Sequence, residues 1–137
     1  MKPEHTSIGL LLIDTGRLLR KRFEQNVRGT GLTRAQWQVL KEIYVQEGLN
    51  QGALAELLEV EPITVGRLVD RLEQAGLIER RPHPTDRRAK QIVLTPAGDR
   101  RRTEVLDHLR TQSPLGPLTE AQHESLRDVL HTLDAQR

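Results

Sequence analysis

Residues 86–98 read DRRAKQIVLTPAG, and this stretch decides the fold. It follows a helical pattern that stops at Gly76, and it carries positive charge on a turn between two short apolar runs. From Arg80 to Lys90 there are five lysine and arginine residues against one acid, although the net charge of the whole 137-residue chain is only +2. Because a local basic hairpin behind two short helices can reach the DNA backbone and minor groove, the sequence predicts the wing of a winged helix-turn-helix.

The remaining elements are predicted from apolar spacing and from capping residues. Thr33 with Gln36, and Thr119 with Gln122, form two capping boxes, and Asn50 is a good N-cap. The predicted elements are helices over residues 8–28, 33–48, 51–58, 62–75, 95–112 and 119 onward, and two strands around Ile78 and at 91–94. The predicted fold class is therefore mainly α with a small β wing, in the order α-α-α-α-β-β-α-α.

The amino-acid composition and the absence of known catalytic motifs exclude several classes of protein. The chain has no cysteine, which excludes disulfides and thiolate zinc sites within it, and its five histidines form no zinc-binding pair on one helix. With no glycine-rich phosphate loop and no nucleophile elbow, we expect neither an enzyme nor a cofactor. The apolar run at residues 8–13 is far shorter than the ~20 residues that span a bilayer, so we expect a cytoplasmic protein with no membrane partner.

The third and fourth helices, joined by a short turn, predict a helix-turn-helix. We expect Val65, Leu68, Val69 and Leu72 to be buried, with the opposite face of the fourth helix in the DNA major groove. Arg67 is the best candidate for a bidentate contact with guanine. The residues predicted to contact double-stranded DNA are Pro62, Ile63, Thr64, Arg67 and Arg71 on this helix, and Arg87, Arg88 and Lys90 on the wing. Gly66 either lets the helix backbone approach DNA closely or is tolerated without a role.

Several motifs share one family pattern. They are LT at residues 32–33 with Trp37 and Leu40, LAE at 54–56, TVGRLVDRLE at 64–73, GLI at 76–78, DRR at 86–88, and LT at 94–95 with Gly98. With these motifs the chain resembles the MarR family of winged-helix transcription regulators over most of its length, and the DRRAK wing is most similar to the SlyA-like branch. Two positions depart from the family pattern: Gly66 stands where Ser or Thr is common, and Glu59 where Gly is usual.

The resemblance implies a single domain over residues 1–137. Residues 32–98 would form the DNA-binding part, and 1–30 with 99–137 would form the part that holds a homodimer together. It further implies a pseudo-palindromic operator, with Arg88 entering the minor groove and Asp86 steadying the wing arginines. The protein would be a repressor released by a small ligand.

In this family small aromatic or phenolic effectors often bind between the two parts, where Arg17 and Trp37 are placed to line a pocket. The alternative for Trp37 is an ordinary core residue. Two other function classes stay open: a winged helix that binds proteins, and a non-specific architectural DNA binder.

Overall fold

A computed structural model describes residues 7–86 and 89–137. It contains helices α1 (Ile8–Arg28), α2 (Arg34–Val45), α3 (Gln51–Leu58) and α4 (Pro62–Gln74), strands β1 (Ile78–Pro82) and β2 (Lys90–Leu94), and helices α5 (Pro96–Thr111) and α6 (Glu120–Asp134). The predicted order and the mainly helical fold class with a two-stranded antiparallel wing are confirmed. Among the described residues, no helix combines the length and the apolar character needed to cross a membrane.

The predicted helix starts are confirmed by their caps. The Thr33 hydroxyl accepts a hydrogen bond from the Gln36 backbone at 3.1 Å, and the Gln36 side chain accepts one from the Thr33 backbone at 3.0 Å. The Asn50 side chain accepts from the Ala53 backbone at 2.8 Å, and the capping box of α6 is also present. These side chains satisfy amides that have no partner inside the helix, so α2, α3 and α6 each begin at a residue fixed by local sequence.

The predicted end of α2 at Gly48 is wrong, because the helix stops at Val45. The chain then turns through Gly48, whose φ is +82°, and brings Leu49 into the core with 7% of its surface exposed. The Leu49 carbonyl accepts a hydrogen bond from the Ile92 backbone at 2.8 Å. The segment after α2 therefore runs beside β2, and this long-range backbone contact has no local signature in the sequence.

The core lies between α4, the base of the wing and the helices behind them. Of the residues that the structure describes, fifteen hydrophobic ones are buried: Val27, Leu32, Trp37, Val39, Leu40, Ile43, Leu49, Leu54, Ala55, Val65, Val69, Leu72, Ile78, Ile92 and Val105. Three of the four residues predicted to form the inner stripe of α4 are among them, and Leu68 is half-buried.

The apolar spacing of α2 and α3 predicts that Tyr44 and Leu57 face inward, but both are exposed, Leu57 at 42% and Tyr44 at 55%. The Tyr44 ring lies 3.5 Å from the Arg102 guanidinium, a cation–π contact outside the core. In α3, Leu54 and Ala55 take the buried positions, which leaves Leu57 on the outer side of that short helix.

The wing is a hairpin with Ile78 opposite Leu94 and Pro82 opposite Lys90. Pro82 is thus the last residue of a strand rather than a loop residue, a position that suits it because the end of a two-stranded ribbon needs few backbone donors. Arg87 and Arg88, predicted to contact DNA, lie outside the described residues.

The start of α5 is packed tightly against the wing base. The Thr95 hydroxyl donates to the Gly76 carbonyl at 2.6 Å and accepts from the Gly98 backbone at 3.0 Å. Gly98 is buried, and a Cβ at this position would lie 1.9 Å from the carbonyl oxygen of Leu77. Only glycine allows this approach, so the turn after α4 and the first turn of α5 are fixed against each other.

We therefore predict that Gly98→Ala destabilises the protein by more than about 4 kcal/mol, since backbone must move to make room for one methyl group. Thermal unfolding followed by circular dichroism measures the effect. Gly52→Ala is the control, because its added Cβ would meet only the Asn50 side chain, at 3.4 Å. Equal melting temperatures for the two variants would contradict the steric account.

Candidate nucleic-acid interface

The turn between α3 and α4 is short and tight. Glu59 caps α3 in the left-handed region, with φ 54° and ψ 43°, and its backbone N–H donates to the carbonyls of Ala55 and Glu56. A residue with a side chain costs about 1–2 kcal/mol in this conformation, which explains why glycine is usual here. The turn is nevertheless made, and it leads directly into Pro62 at the first position of α4. The two helices thus form the predicted helix-turn-helix.

The residues predicted to read DNA lie on the solvent side of α4. Ile63 is 67% exposed, and the other four are also exposed: Pro62, Thr64, Arg67 and Arg71. The buried residues Val65, Val69 and Leu72 hold the opposite side of the helix in the core. Apolar, hydroxyl and guanidinium groups therefore share one protruding helix, which is the mixture needed to contact base edges and phosphates.

The wing turn beside α4 is closed by backbone and histidine contacts. The His83 ring nitrogen Nδ1 accepts hydrogen bonds from the backbones of Thr85 and Asp86, both at 3.2 Å. The Asp86 carbonyl accepts from the Ala89 backbone at 3.2 Å, and the exposed Lys90 begins β2. The sequence did not predict that the His83 ring would hold the turn through these hydrogen bonds. The position of this histidine between two prolines was the feature that could have indicated it.

Arg80 departs from the sequence interpretation, which counted it among the free charges of the wing. Its guanidinium pairs with Asp70 at 2.7 Å and with Glu73 at 2.8 Å, and its side chain is only 22% exposed. The Arg80 backbone also donates to Glu73, at 2.9 Å. Arg80 therefore joins β1 to α4 and is not available to DNA. Arg80 lies two residues after the buried Ile78, and alternate residues of a strand share one face. This spacing could have placed the Arg80 side chain on the inner face of β1.

These contacts shift two pKa values. The backbone hydrogen bond from Arg80 lowers the pKa of Glu73; burial opposes this, and the Arg80 side chain reinforces it. Burial on its own would lower the pKa of Arg80, but the hydrogen bonds to Asp70 and Glu73 outweigh it and raise that pKa. Both groups are therefore held in their charged forms.

The two residues proposed to line an effector pocket are not brought together. Trp37 is 4% exposed and borders a cavity of about 320 Å³ between α1, α2 and Pro114. The Arg17 side chain is 75% exposed, pairs with Asp14 and does not line this cavity. The cations at the cavity are Arg20, Arg34 and Lys41, which the sequence interpretation did not assign to it. No cluster of metal-binding side chains occurs in the part of the chain that the structure describes.

Comparison with known proteins agrees with this geometry. A sequence profile of the MarR family matches residues 32–90. The transcriptional repressor MdtR of Bacillus subtilis is 38% identical over 82 residues, which are 60% of this chain and 53% of MdtR. The uncharacterised HTH-type regulator YybA of the same organism is 30% identical over 106 residues, 73% of this chain and 68% of YybA. The chain thus spans about half the length of MdtR and two thirds of YybA.

A solved structure has the same fold over nearly the whole chain. CouR from Rhodococcus jostii RHA1, determined with p-coumaroyl-CoA bound, is 28% identical and superposes with a TM-score of 0.77. The similarity covers 97% of this chain and 95% of CouR. The winged helix and the flanking helices therefore both have counterparts in a solved protein.

The lowered pKa of Glu73 gives a pH-dependent prediction. Because its folded-state pKa lies below the ordinary value of 4.5, the ionised carboxylate stabilises the fold fully above that pH, and this stability is lost as the pH falls through the folded pKa. We expect Glu73→Gln to cost about 1 kcal/mol near neutral pH, allowing for solvent screening. The cost should shrink as the pH falls below 4.5.

Denaturant unfolding across the acidic range measures this difference. Glu79→Gln is the matched control, since Glu79 is exposed on the outer face of the wing and pairs there with the exposed Arg81. A cost of Glu73→Gln that is the same at every pH would show that the carboxylate charge is not what stabilises the contact.

Proposed function

The chain belongs to the MarR family of DNA-binding transcription regulators and is not an enzyme, and we propose that it acts as a homodimer on a specific, pseudo-palindromic duplex sequence. The observation that carries the proposal is the exposed face of α4, which presents Ile63, Thr64 and Arg67 to solvent, while Lys90 is exposed at the start of β2 in the wing. A highly basic protein would bind any duplex through its overall charge, but this chain has a net charge of only +2. Its affinity for DNA must therefore come from individual side chains at defined positions.

Each group in the interface has a distinct role in this proposal. Arg67 donates two hydrogen bonds to a guanine edge, and Thr64 and Ile63 contact a thymine methyl group. Arg71 and Lys90 bind phosphates on either side, and Pro62 sets the start of the helix. By the family motif, Arg88 enters the minor groove, Arg87 also contacts DNA, and Asp86 steadies the wing arginines. The proposal includes a wing of the SlyA-like type.

The dimer is supported by the helices outside the winged part. All fifteen residues of α6 are described and none is buried, and Val129, Leu130 and Leu133 are 52%, 45% and 44% exposed. The first half of α1 also exposes a row of apolar residues: Ile8, Leu10, Leu11, Leu12 and Ile13. Such surfaces are costly in water, and a second copy of the chain covers both. Residues 1–30 and 99–137 would then hold the dimer, and residues 32–98 would bind DNA.

The cavity beside Trp37 is the proposed effector site. CouR was solved with p-coumaroyl-CoA bound. Here the cavity has the aromatic rings of Phe23 and Trp37 together with two cations, Arg20 and an Arg34 whose Nε pairs with Glu24 at 3.3 Å. A small aromatic or phenolic acid fits this chemistry, and Arg17 would contribute only by leaving Asp14. We propose that such a ligand releases the protein from DNA. The name of MdtR supports a repressor, which would act in the cytoplasm.

Selection of duplexes from a random pool tests the sequence-specific function. Wild type should recover a motif with two half-sites about one helical turn apart. Arg67→Ala should lose preference at one position in each half-site and bind the wild-type motif about 10–100-fold more weakly. The control is Arg110→Ala, which removes an exposed arginine from α5 and should leave the motif unchanged.

The same selection separates the alternatives. Enrichment of no motif, with binding to every duplex, would favour an architectural DNA binder. Failure to bind any duplex would favour a winged helix that binds proteins. An unchanged motif for Arg67→Ala would contradict the base-reading role of that residue.

We predict that Leu130→Glu dissociates the dimer, because it places a charge in the proposed apolar interface. Sedimentation equilibrium should give a dimeric mass for wild type at micromolar concentration and a lower average mass for the variant. Asp128→Lys is the control, since residue 128 lies on the opposite side of α6, about 200° around the helix. A monomeric wild type across a wide concentration range would contradict the proposal.

A further inference from the structure

Gly66 lies in the middle of α4, the recognition helix of the proposed DNA interface, where glycine is the least favourable residue after proline. Its surroundings explain why a side chain is missing there. A Cβ on residue 66 would lie 2.9 Å from the amide nitrogen Nε2 of Gln51, the first residue of α3. Real side chains do not pack so closely, so the Gln51 amide occupies the space that the side chain of residue 66 would otherwise fill.

The Gln51 amide contacts two further elements from this position. Its Nε2 donates to the carbonyl oxygen of Pro62 at 3.5 Å, at the start of α4. Its Oε1 accepts from Nη2 of Arg80 at 3.4 Å. Both hydrogen bonds are long and individually weak. Together, however, they bring α3, the first turn of α4 and strand β1 to one amide group.

We propose that Gln51 is a positioning residue for DNA recognition. The missing side chain at Gly66 leaves a recess on α4 that the Gln51 amide occupies. The amide holds the first turn of α4, which carries Ile63 and Thr64, at a fixed place relative to α3 and the wing. The inference rests on the proposed role of α4 in reading DNA. It assigns the glycine to packing within the protein, in place of close approach to DNA or the absence of any role.

The three explanations of Gly66 differ in what alanine does. A glycine with no role predicts that Gly66→Ala stabilises the helix and leaves DNA binding unchanged. A glycine needed for DNA approach predicts weaker binding whatever residue 51 is. If the recess holds the Gln51 amide, Gly66→Ala should weaken DNA binding only while Gln51 is present. The reason is that the added methyl group displaces the flexible amide and not the backbone.

A double-mutant cycle distinguishes them. The variants are Gly66→Ala, Gln51→Ala and the double variant, and the probe is a duplex that wild type recovers from a random pool. We expect Gly66→Ala to weaken affinity about 10-fold, because the displaced amide no longer holds the first turn of α4. Gln51→Ala should weaken affinity similarly, and the double variant should bind no more weakly than Gln51→Ala. Gln74→Ala, an exposed glutamine at the end of α4, is the matched control and should bind as wild type does.

Wild-type affinity for either single variant would overturn the proposal, as would a full further loss of affinity when Gly66→Ala is added to Gln51→Ala. If wild type bound no duplex, the proposed function would fail, and the contact would still be tested by NMR. The side-chain amide protons of Gln51 should exchange more slowly than those of Gln74 in wild type and lose this protection in Gly66→Ala. Equal exchange in wild type would overturn the proposal independently of DNA.

Discussion

The guanidinium of Arg80 joins strand β1 to the recognition helix through ion pairs with Asp70 at 2.7 Å and Glu73 at 2.8 Å. A winged helix must present its helix and its wing to adjacent grooves of one duplex, so their spacing has to be set before DNA arrives. A half-buried charge is costly unless its donors are satisfied, and here two carboxylates and the Gln51 amide accept from it. The cost of moving it away keeps α4 and the wing in one arrangement, and Gly98 fixes the turn between α4 and β1 against the start of α5.

Much of the fold follows from local sequence, because helix caps and turn residues act within three or four positions. Thr33, Asn50 and Thr119 each cap the helix that the sequence assigns to them. The wrong predictions concern places where residues distant in sequence determine the structure. Helix α2 ends before Gly48, and the following segment pairs with β2 through the Leu49 carbonyl. Tyr44 lies outside the core, in contact with the Arg102 guanidinium. For the site, the exposed face of α4 was predictable from its apolar stripe. The role of Arg80 was not, because it depends on which strand face meets the helix.

Among the described residues, most of the large apolar side chains that are exposed lie on α1 and α6. The exposed side of α4 carries Thr64, Arg67 and Arg71 together with one large apolar residue, Ile63. Between these regions, Arg102 is held by Asp99 at 2.8 Å and lies over Tyr44, which connects the start of α5 to the end of α2. The cavity beside Trp37 also lies between α1 and α2. In the proposed function, a ligand there would act on DNA binding by shifting these helices relative to the winged part.

The salt dependence of DNA binding by Arg80→Met tests the role of Arg80 most directly. Each lysine or arginine that neutralises a phosphate contributes about 0.9 to the slope of log K against log salt, so a dimer that lost two such contacts would change its slope by about 2. If Arg80 is an internal clamp, Arg80→Met should weaken binding about 10-fold or more at every salt concentration, with the slope of wild type. A slope shallower by about 2, with an unchanged melting temperature, would mean that Arg80 binds DNA phosphates and would contradict the account.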